Sequence, residues 1–332
     1  MTAPTPQAIA SLFEEMEASP PEGPITASRG LLPGRKNIEI SLELRFPERH
    51  RALTVRTPAV RETRELLVTA GVRCRSRSGV VEVVAEPTAD SEIFCTLISD
   101  LVRFLETAQS PSAAVVRRIR TWQQMLAAGL KTGMSAEARL GLVGELLVLR
   151  EIGLPVCGHV ALEAWTGPMG TPYDFQLGAF ALEVKCVSHR TPEKCRISNE
   201  NQLDTTQLDS LTLVHQTVRT SNNEGFSLPE IIDAVRAEPS LAEHQVLLEE
   251  RLLRAGWIEV HREQYDRERF SLATRRCYEV VSGFPRITPS DLPPGVCSVS
   301  YDLDLADCSP YLVGELHLRR ALGAVSKGTP ND

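Results

Sequence analysis

The segment TPYDFQLGAFALEVKCV (171–187) constrains this chain more than any other. Apolar residues stand on both sides of a reversal point, with Phe175 and Leu177 before Gly178 and Phe180, Leu182 and Val184 after it. Gly-Ala at 178–179 fits a two-residue hairpin turn with glycine first, where φ must be positive. That turn sets a register: Leu177 opposite Phe180, Gln176 opposite Ala181, Phe175 opposite Leu182, Asp174 opposite Glu183. Directly opposed residues share a face, with Cβ atoms about 4.5–5.5 Å apart. Lys185, two residues beyond Glu183, shares that face as well. Tyr173, Phe175, Leu182 and Val184 are expected on the other face, in a core. Two carboxylates and an ammonium thus fall on one patch of sheet. Opposed like charges destabilise a strand pair unless something compensates them, and a divalent cation would. Hard oxygen donors suit Mg²⁺, with Mn²⁺ as the alternative.

Upstream, Ser135 suits the N-cap of a helix running to about Ile152, with Glu137 in its first turn. Glu145 is a lone acid in the run GLVGELLVLRE. Residues 140–149 are apolar almost all round, so little solvent-facing surface is left for it. Gly141 and Gly144 would let this helix approach a sheet closely. Strands are expected at 160–165, 171–177, 180–187 and 210–218, with a polar or helical segment before the last.

Three regions follow from this reading. Residues 1–131 form an α+β module. It has a short helix from Ala8 to Met16, then a stretch rich in proline (Pro20, Pro21, Pro24, Pro33). Strands follow at 37–46, 52–57, 65–72 and 79–85, and helices at about 91–107 and 112–130. The second helix carries Arg117, Arg118 and Arg120, a solvated face or a phosphate-contacting surface. Residues 132–220 hold the hairpin and its helix. Residues 221–332 open with helices at 227–236 and 240–256, turning at Glu238–Pro239, then strands near 271–281 and 296–304. Two helices and a β-hairpin resemble a winged helix, in which Arg267, Arg269, Arg275 and Arg276 would lie near the wing and read DNA. A generic α+β extension is the alternative.

An Asp followed about ten residues later by Glu-x-Lys on the next strand resembles the PD-(D/E)XK nuclease signature. It stands here as Pro172-Tyr173-Asp174, then Glu183-Val184-Lys185, with one residue between Pro and Asp. Together with GELLVL, W-x-G-P followed by Asp-Phe, LEVK and ISNENQLD, it resembles a family of PD-(D/E)XK proteins of bacterial restriction and phage-defence loci. The resemblance covers roughly residues 30–320 and is most specific at 141–208.

This resemblance implies an α+β protein with a restriction-endonuclease-like αβββαβ core. It implies an endonuclease that hydrolyses DNA phosphodiesters with Mg²⁺. Asp174, Glu183 and Glu145 would hold the metal, joined by the Val184 carbonyl. Lys185 would orient the attacking water or balance charge at the phosphate, and Gln202 would lie near the scissile phosphate. His189, Arg190, Lys194 and Arg196 could contact flanking phosphates or be plain surface charge. A helicase or ATPase of the same defence locus and a homodimer are implied by analogy. The rival reading is a nuclease fold that has lost cleavage and acts as a DNA-binding or assembly adaptor.

Composition narrows the rest. A net charge of -7 argues against wholesale coating of nucleic acid, though not against a local basic groove. No stretch approaches the roughly 18 apolar residues of a membrane span, and MTAPTPQAIASLFEEMEASPPEG lacks a secretory pattern. The expected location is the cytoplasm. The eight cysteines form no CxxC pair and read as reduced core residues. No GxxxxGK[ST], HExxH or GxSxG is present, and GLLPGRKN at 30–37 lacks the Gly-Lys-Ser/Thr ending.

Overall fold

The computed structural model describes residues 4–19, 25–31, 38–57, 64–68, 71–77, 79–107, 111–127, 133–188 and 194–328. The chain forms two compact units. One is Met1–Gly133 with Gly256–Val260, the other Met134–Ala255 with His261–Asp332.

The first unit begins with α1 (Pro6–Ala18), capped by Thr5, whose Oγ1 accepts the Ala8 N–H. Six strands follow: β1 (Thr26–Gly30), β2 (Glu39–Arg45), β3 (His50–Arg56), β4 (Arg64–Val68), β5 (Val72–Arg77) and β6 (Val80–Ala85). They pair antiparallel in the order β1-β2-β3-β6-β5-β4. Helices α2 (Ser91–Thr107) and α3 (Pro111–Ala127) complete the unit. Where the pattern suggested one strand at 65–72, the chain reverses and makes two. Strand β2 buries Ile40, Leu42 and Leu44 as its alternation requires, but Ser41 and Glu43 are buried too. Glu43 is held there by Arg45 and Arg56. Arg118 turns inward, against the reading of a phosphate-contacting face. Its side chain is 4% exposed, paired with Asp100, and lies 4.9 Å over the Phe104 ring. Arg117 and Arg120 are exposed.

The second unit opens with α4 (Ala136–Val148), N-capped by Ser135, which runs through a π turn (Leu149–Gly153) into α5 (Leu154–Cys157) and α6 (Val160–Ala164). Next come β7 (Phe175–Leu177), β8 (Phe180–Ser188), β9 (Lys194–Ile197) and β10 (Ser210–Ser221). Then follow β11 (Phe226–Ser227), α7 (Leu228–Arg236), α8 (Gln245–Arg254), α9 (Arg262–Tyr265) and β12 (Arg269–Glu279). Strands β13 (Tyr301–Asp304) and β14 (Leu312–Val313) and helix α10 (Glu315–Gly328) end it. The main sheet has the order β11-β12-β10-β8-β7, with β14 on β12. It is mixed: β8 is antiparallel to β7 and parallel to β10, and β12 is antiparallel to β10. The fold class is therefore α+β, as expected.

Three expectations need correction. Residues 160–164 are helical, and only Trp165 makes a single β-bridge, to Phe175. A five-residue run with apolar residues at alternate positions is ambiguous by period, and Ala, Leu and Glu favour the helix. The segment 198–209 is built of turns, and an unforeseen strand, β9, precedes it. The two C-terminal strands do not make a wing. β12 pairs with β10 in the main sheet, while β13 pairs with β9. Alternation identifies a strand but says nothing of its partner.

Helix α4 lies close on β8, and Gly144 permits this. A Cβ there would run into Cys186 Cβ, while Gln216 Nε2 donates to the Gly144 carbonyl at 2.8 Å. Among the described residues nothing crowds Gly141, which plays no such part.

Candidate active site

The hairpin has the register that its turn dictates: Leu177 with Phe180, Gln176 with Ala181, Phe175 with Leu182. Gly178 takes φ +59°, and Ala179 keeps negative φ, the pattern of a turn with glycine first. The ladder then stops one residue short of the expected Asp174–Glu183 pair. The Asp174 carbonyl accepts the N–H groups of Thr166 and Gly167, each at 2.9 Å. Its Oδ2 accepts the Val184 N–H at 2.7 Å. A carboxylate oxygen thus takes the place of the strand carbonyl that would have been Tyr173's. Tyr173 is released from alternation. It packs against the buried cluster that includes Ala181, Leu211 and Leu213 rather than on the Leu182 side, and its hydroxyl donates to the Asp204 carbonyl at 2.6 Å.

Asp174 therefore lies at the end of β7, reaching across to β8. Its other oxygen, Oδ1, faces Gly167. A Cβ built on Gly167 would stand 2.8 Å from Asp174 Oδ1 and 3.2 Å from Glu145 Oε2. The two carboxylates converge on the space that this glycine leaves open. Glu145 projects from α4, and its Oε2 accepts a hydrogen bond from the buried Trp165 Nε1 at 2.6 Å. Glu183 follows on β8 and is 1% exposed. Its Oε1 stands 2.8 Å from Lys185 Nζ as an ion pair, and Oε2 has no hydrogen-bond partner among the described residues. Lys185 Nζ donates to Gln202 Oε1 at 3.2 Å, and the same oxygen accepts the Ser198 N–H at 2.7 Å.

The electrostatics follow from this crowding. Burial raises the Glu183 carboxyl well above its ordinary value, the charge of Asp174 adds to this, and Lys185 opposes it. Burial, then Asp174, pushes Glu145 up to about 8, against the pull of Trp165 and Lys185. Asp174 is raised as well, because burial outweighs the Val184 N–H and Lys185. Burial alone would depress Lys185, but Glu183 and Asp174 hold its ammonium above the usual lysine value. One ammonium cannot balance three carboxylates, and all three hold a proton more tightly than they would in water. A buried carboxylate oxygen without a donor among the described residues, two more oxygens converging on a bare glycine, and an all-oxygen donor set fit a hard divalent cation.

The structure gathers Glu145, Asp174, Glu183, Val184, Lys185 and Gln202 as the sequence suggested. Trp165 and Gly167 were missed as participants, although the W-x-G-P string carried them. The basic residues are less concentrated. His189 and Arg190 lie outside the described residues. Lys194 and Arg196 are exposed on β9, and Arg196 pairs with Asp302. Arg275 is enclosed, 7% exposed, between Glu151, Glu315 and Gln216, and Arg269 engages Glu230. Arg267 is exposed and Arg276 half-buried. With no wing formed, these four arginines do not lie on one.

A mixed sheet whose hairpin presents Asp, Glu-x-Lys and a helix glutamate together defines a protein of the PD-(D/E)XK class. The chain belongs to the family described as "Putative PD-(D/E)XK family member, (DUF4420)", which it matches over residues 9–306. No curated protein and no solved structure matches it. No helix among the described residues is long and apolar enough to cross a membrane.

Proposed function

We propose that this protein is a metal-dependent nuclease that hydrolyses DNA phosphodiester bonds in a restriction or anti-phage system. The observation that carries the reading is the convergence of Asp174 Oδ1 and Glu145 Oε2 beside Gly167, next to a Glu183 oxygen that lacks a hydrogen-bond partner among the described residues. In this reading the nuclease core spans residues 132–220. Asp174, Glu183 and Glu145 hold Mg²⁺, or Mn²⁺ in its place. The Val184 carbonyl joins them: Val184 directs its N–H toward Asp174, and strand geometry sends its carbonyl to the same side, past the end of β7.

A divalent cation bound there supplies a more acidic water and neutralises charge on the phosphate. The residues do the rest. Asp174 is fixed by the Val184 N–H and Glu145 by Trp165, so neither carboxylate needs to reorganise on binding. Lys185, held between Glu183 and Gln202, orients the attacking water and offsets charge on the phosphate oxygens. Gln202 positions this ammonium through its carbonyl oxygen. A helicase or ATPase of the same locus would deliver the DNA, and a dimer would bring one site to each strand.

The test is incubation of wild-type and Lys185→Ala protein with plasmid DNA and Mg²⁺ or Mn²⁺. Cleavage by the wild type alone is expected. Equal inactivity of both, over several DNA substrates and with partners of the locus present, would replace the nuclease by a binding adaptor.

A further inference from the structure

A second cluster of ligating side chains lies outside the carboxylate site. His159 precedes α6, Glu163 lies one helical turn on, and His244 precedes α8. One potential ligand atom from each residue lies within 4.8 Å of the others. The two imidazole rings stack at 4.4 Å between centroids, 17° from parallel. His244 Nδ1 is buried and has no hydrogen-bond partner among the described residues, an uncommon state for an imidazole nitrogen.

We propose that His159, Glu163 and His244 bind a zinc-class divalent cation that clamps α6 to α8. Two imidazoles and one carboxylate form a borderline-soft set that selects first-row transition metals over Mg²⁺. Around a tetrahedral zinc the ligand atoms stand about 3.3–3.6 Å apart, so each side chain closes by roughly an ångström. Both rings turn out of their stack to point a nitrogen at one centre, rotations about single bonds at the ends of short helices. The spacing of His159 and Glu163 puts both on one face of a helical turn. A water completes the fourth position.

Such a clamp has a consequence within its own unit. Helix α6 ends at Trp165, which fixes Glu145, and Gly167 faces Asp174 two residues later. Helix α8 packs on the turn at 167–169. A metal joining the starts of α6 and α8 therefore braces, from both sides, the loop that lines the carboxylate site. The inference does not depend on nuclease activity.

The experiment titrates zinc into chelator-stripped full-length protein held in millimolar Mg²⁺, followed by calorimetry and thermal melting. One zinc per chain at micromolar concentration, with a rise in Tm, is the expected result. His244→Ala and Glu163→Gln should each weaken zinc binding by about tenfold or more while keeping the wild-type circular dichroism. Asp174→Asn should retain the site, which separates it from the carboxylate cluster. Replacing zinc by Co²⁺ should give the visible absorption of a tetrahedral centre. No binding to wild type, undiminished binding in His244→Ala and Glu163→Gln, or loss of binding in Asp174→Asn would each overturn the proposal.

Discussion

Gly167→Ala tests the geometry of the carboxylate site most directly. Gly167 does not take a positive φ, so alanine meets no backbone strain there. The added methyl would lie 2.8 Å from Asp174 Oδ1, 3.1 Å from Asp174 Cα and 3.2 Å from Glu145 Oε2. These distances fall about half an ångström inside the roughly 3.5 Å at which carbon contacts become favourable. The Asp174 side chain cannot swing clear freely, because Oδ2 is held by the Val184 N–H and its carbonyl by Thr166 and Gly167. Overpacking of this kind costs about 1–3 kcal/mol. For a unit of this size that lowers Tm by about 2–4 °C per kcal/mol. The larger effect falls on the metal, since displacing a ligating oxygen by a few tenths of an ångström should weaken Mg²⁺ or Mn²⁺ binding about 10–100-fold. The assay is paired melting curves in chelator and in millimolar Mn²⁺, with calorimetric titration of the cation. The variant should melt slightly lower in chelator and lose most of the cation-induced rise. A Gly167→Ala protein that binds Mn²⁺ as tightly as wild type would show that the two carboxylates do not close on that point.

Other perturbations give distinct outcomes. Lys185→Ala should leave the fold intact and reduce plasmid cleavage by about 100-fold or more, because charge stabilisation at the phosphate is lost. Chelated protein should lose stability as pH rises from about 5 to 8: carboxyls raised in the folded state bind protons there that the unfolded chain has released, and this contribution goes as pH passes the folded value, about 8 for Glu145. Glu145→Gln should flatten that slope and added Mn²⁺ should reverse it, whereas a stability independent of pH in chelator would contradict the crowding. Gly144→Ala drives a methyl into Cys186 Cβ and should cost about 1–3 kcal/mol in urea melts, with partial rescue by Cys186→Gly. Arg275→Ala strips the shared partner from Glu151, Glu315 and Gln216 and should destabilise by about 1–3 kcal/mol without selectively weakening DNA binding.

Much of the site was legible because it is local. A hairpin pairing Phe175–Leu177 with Phe180–Leu182, a glycine at the reversal and the two-residue side-chain period are enough to put Glu183 and Lys185 on one face. Glu145 was legible for a different reason: an apolar helix leaves no solvent-facing place for a lone acid. Asp174 was placed correctly in space but for an incomplete reason. Alternation predicted a fourth cross-strand pair, whereas the loop at 166–167 captures the Asp174 carbonyl and turns its carboxylate into the acceptor for Val184 N–H. That outcome depends on a tertiary contact, and no local pattern encodes it. The same limit explains the missing wing. Residues 269–279 read clearly as a strand, but the choice of β10 over β13 is made by the sheet. Trp165 and Gly167 were visible only as a string. Their roles need the position of α4, thirty residues from Asp174 in sequence and adjacent to it in the fold.

The assembly of the site from separate elements bears on why its carboxylates tolerate burial. Glu145 comes from α4, Trp165 and Gly167 from the loop after α6, Asp174 from the end of β7, and Glu183 and Lys185 from β8. Each element is fixed by contacts that do not involve the charges: Gly144 against Cys186, Trp165 against Phe175, the hairpin by its own ladder. The scaffold therefore holds three acids together whether or not they are compensated, and their raised pKa values record the cost. A flexible surface would spread the same groups apart and relax the repulsion. Here the relief must come from proton uptake or from a cation, and at neutral pH the two compete for the same oxygens. Cation affinity should accordingly rise with pH through about 8, where Glu145 gives up its proton, with protons released on binding. Proton release measured in two buffers of different ionisation enthalpy decides the matter. Cation binding with no proton release at pH 7 would mean that the acids are already ionised, and that something other than the cation stabilises them.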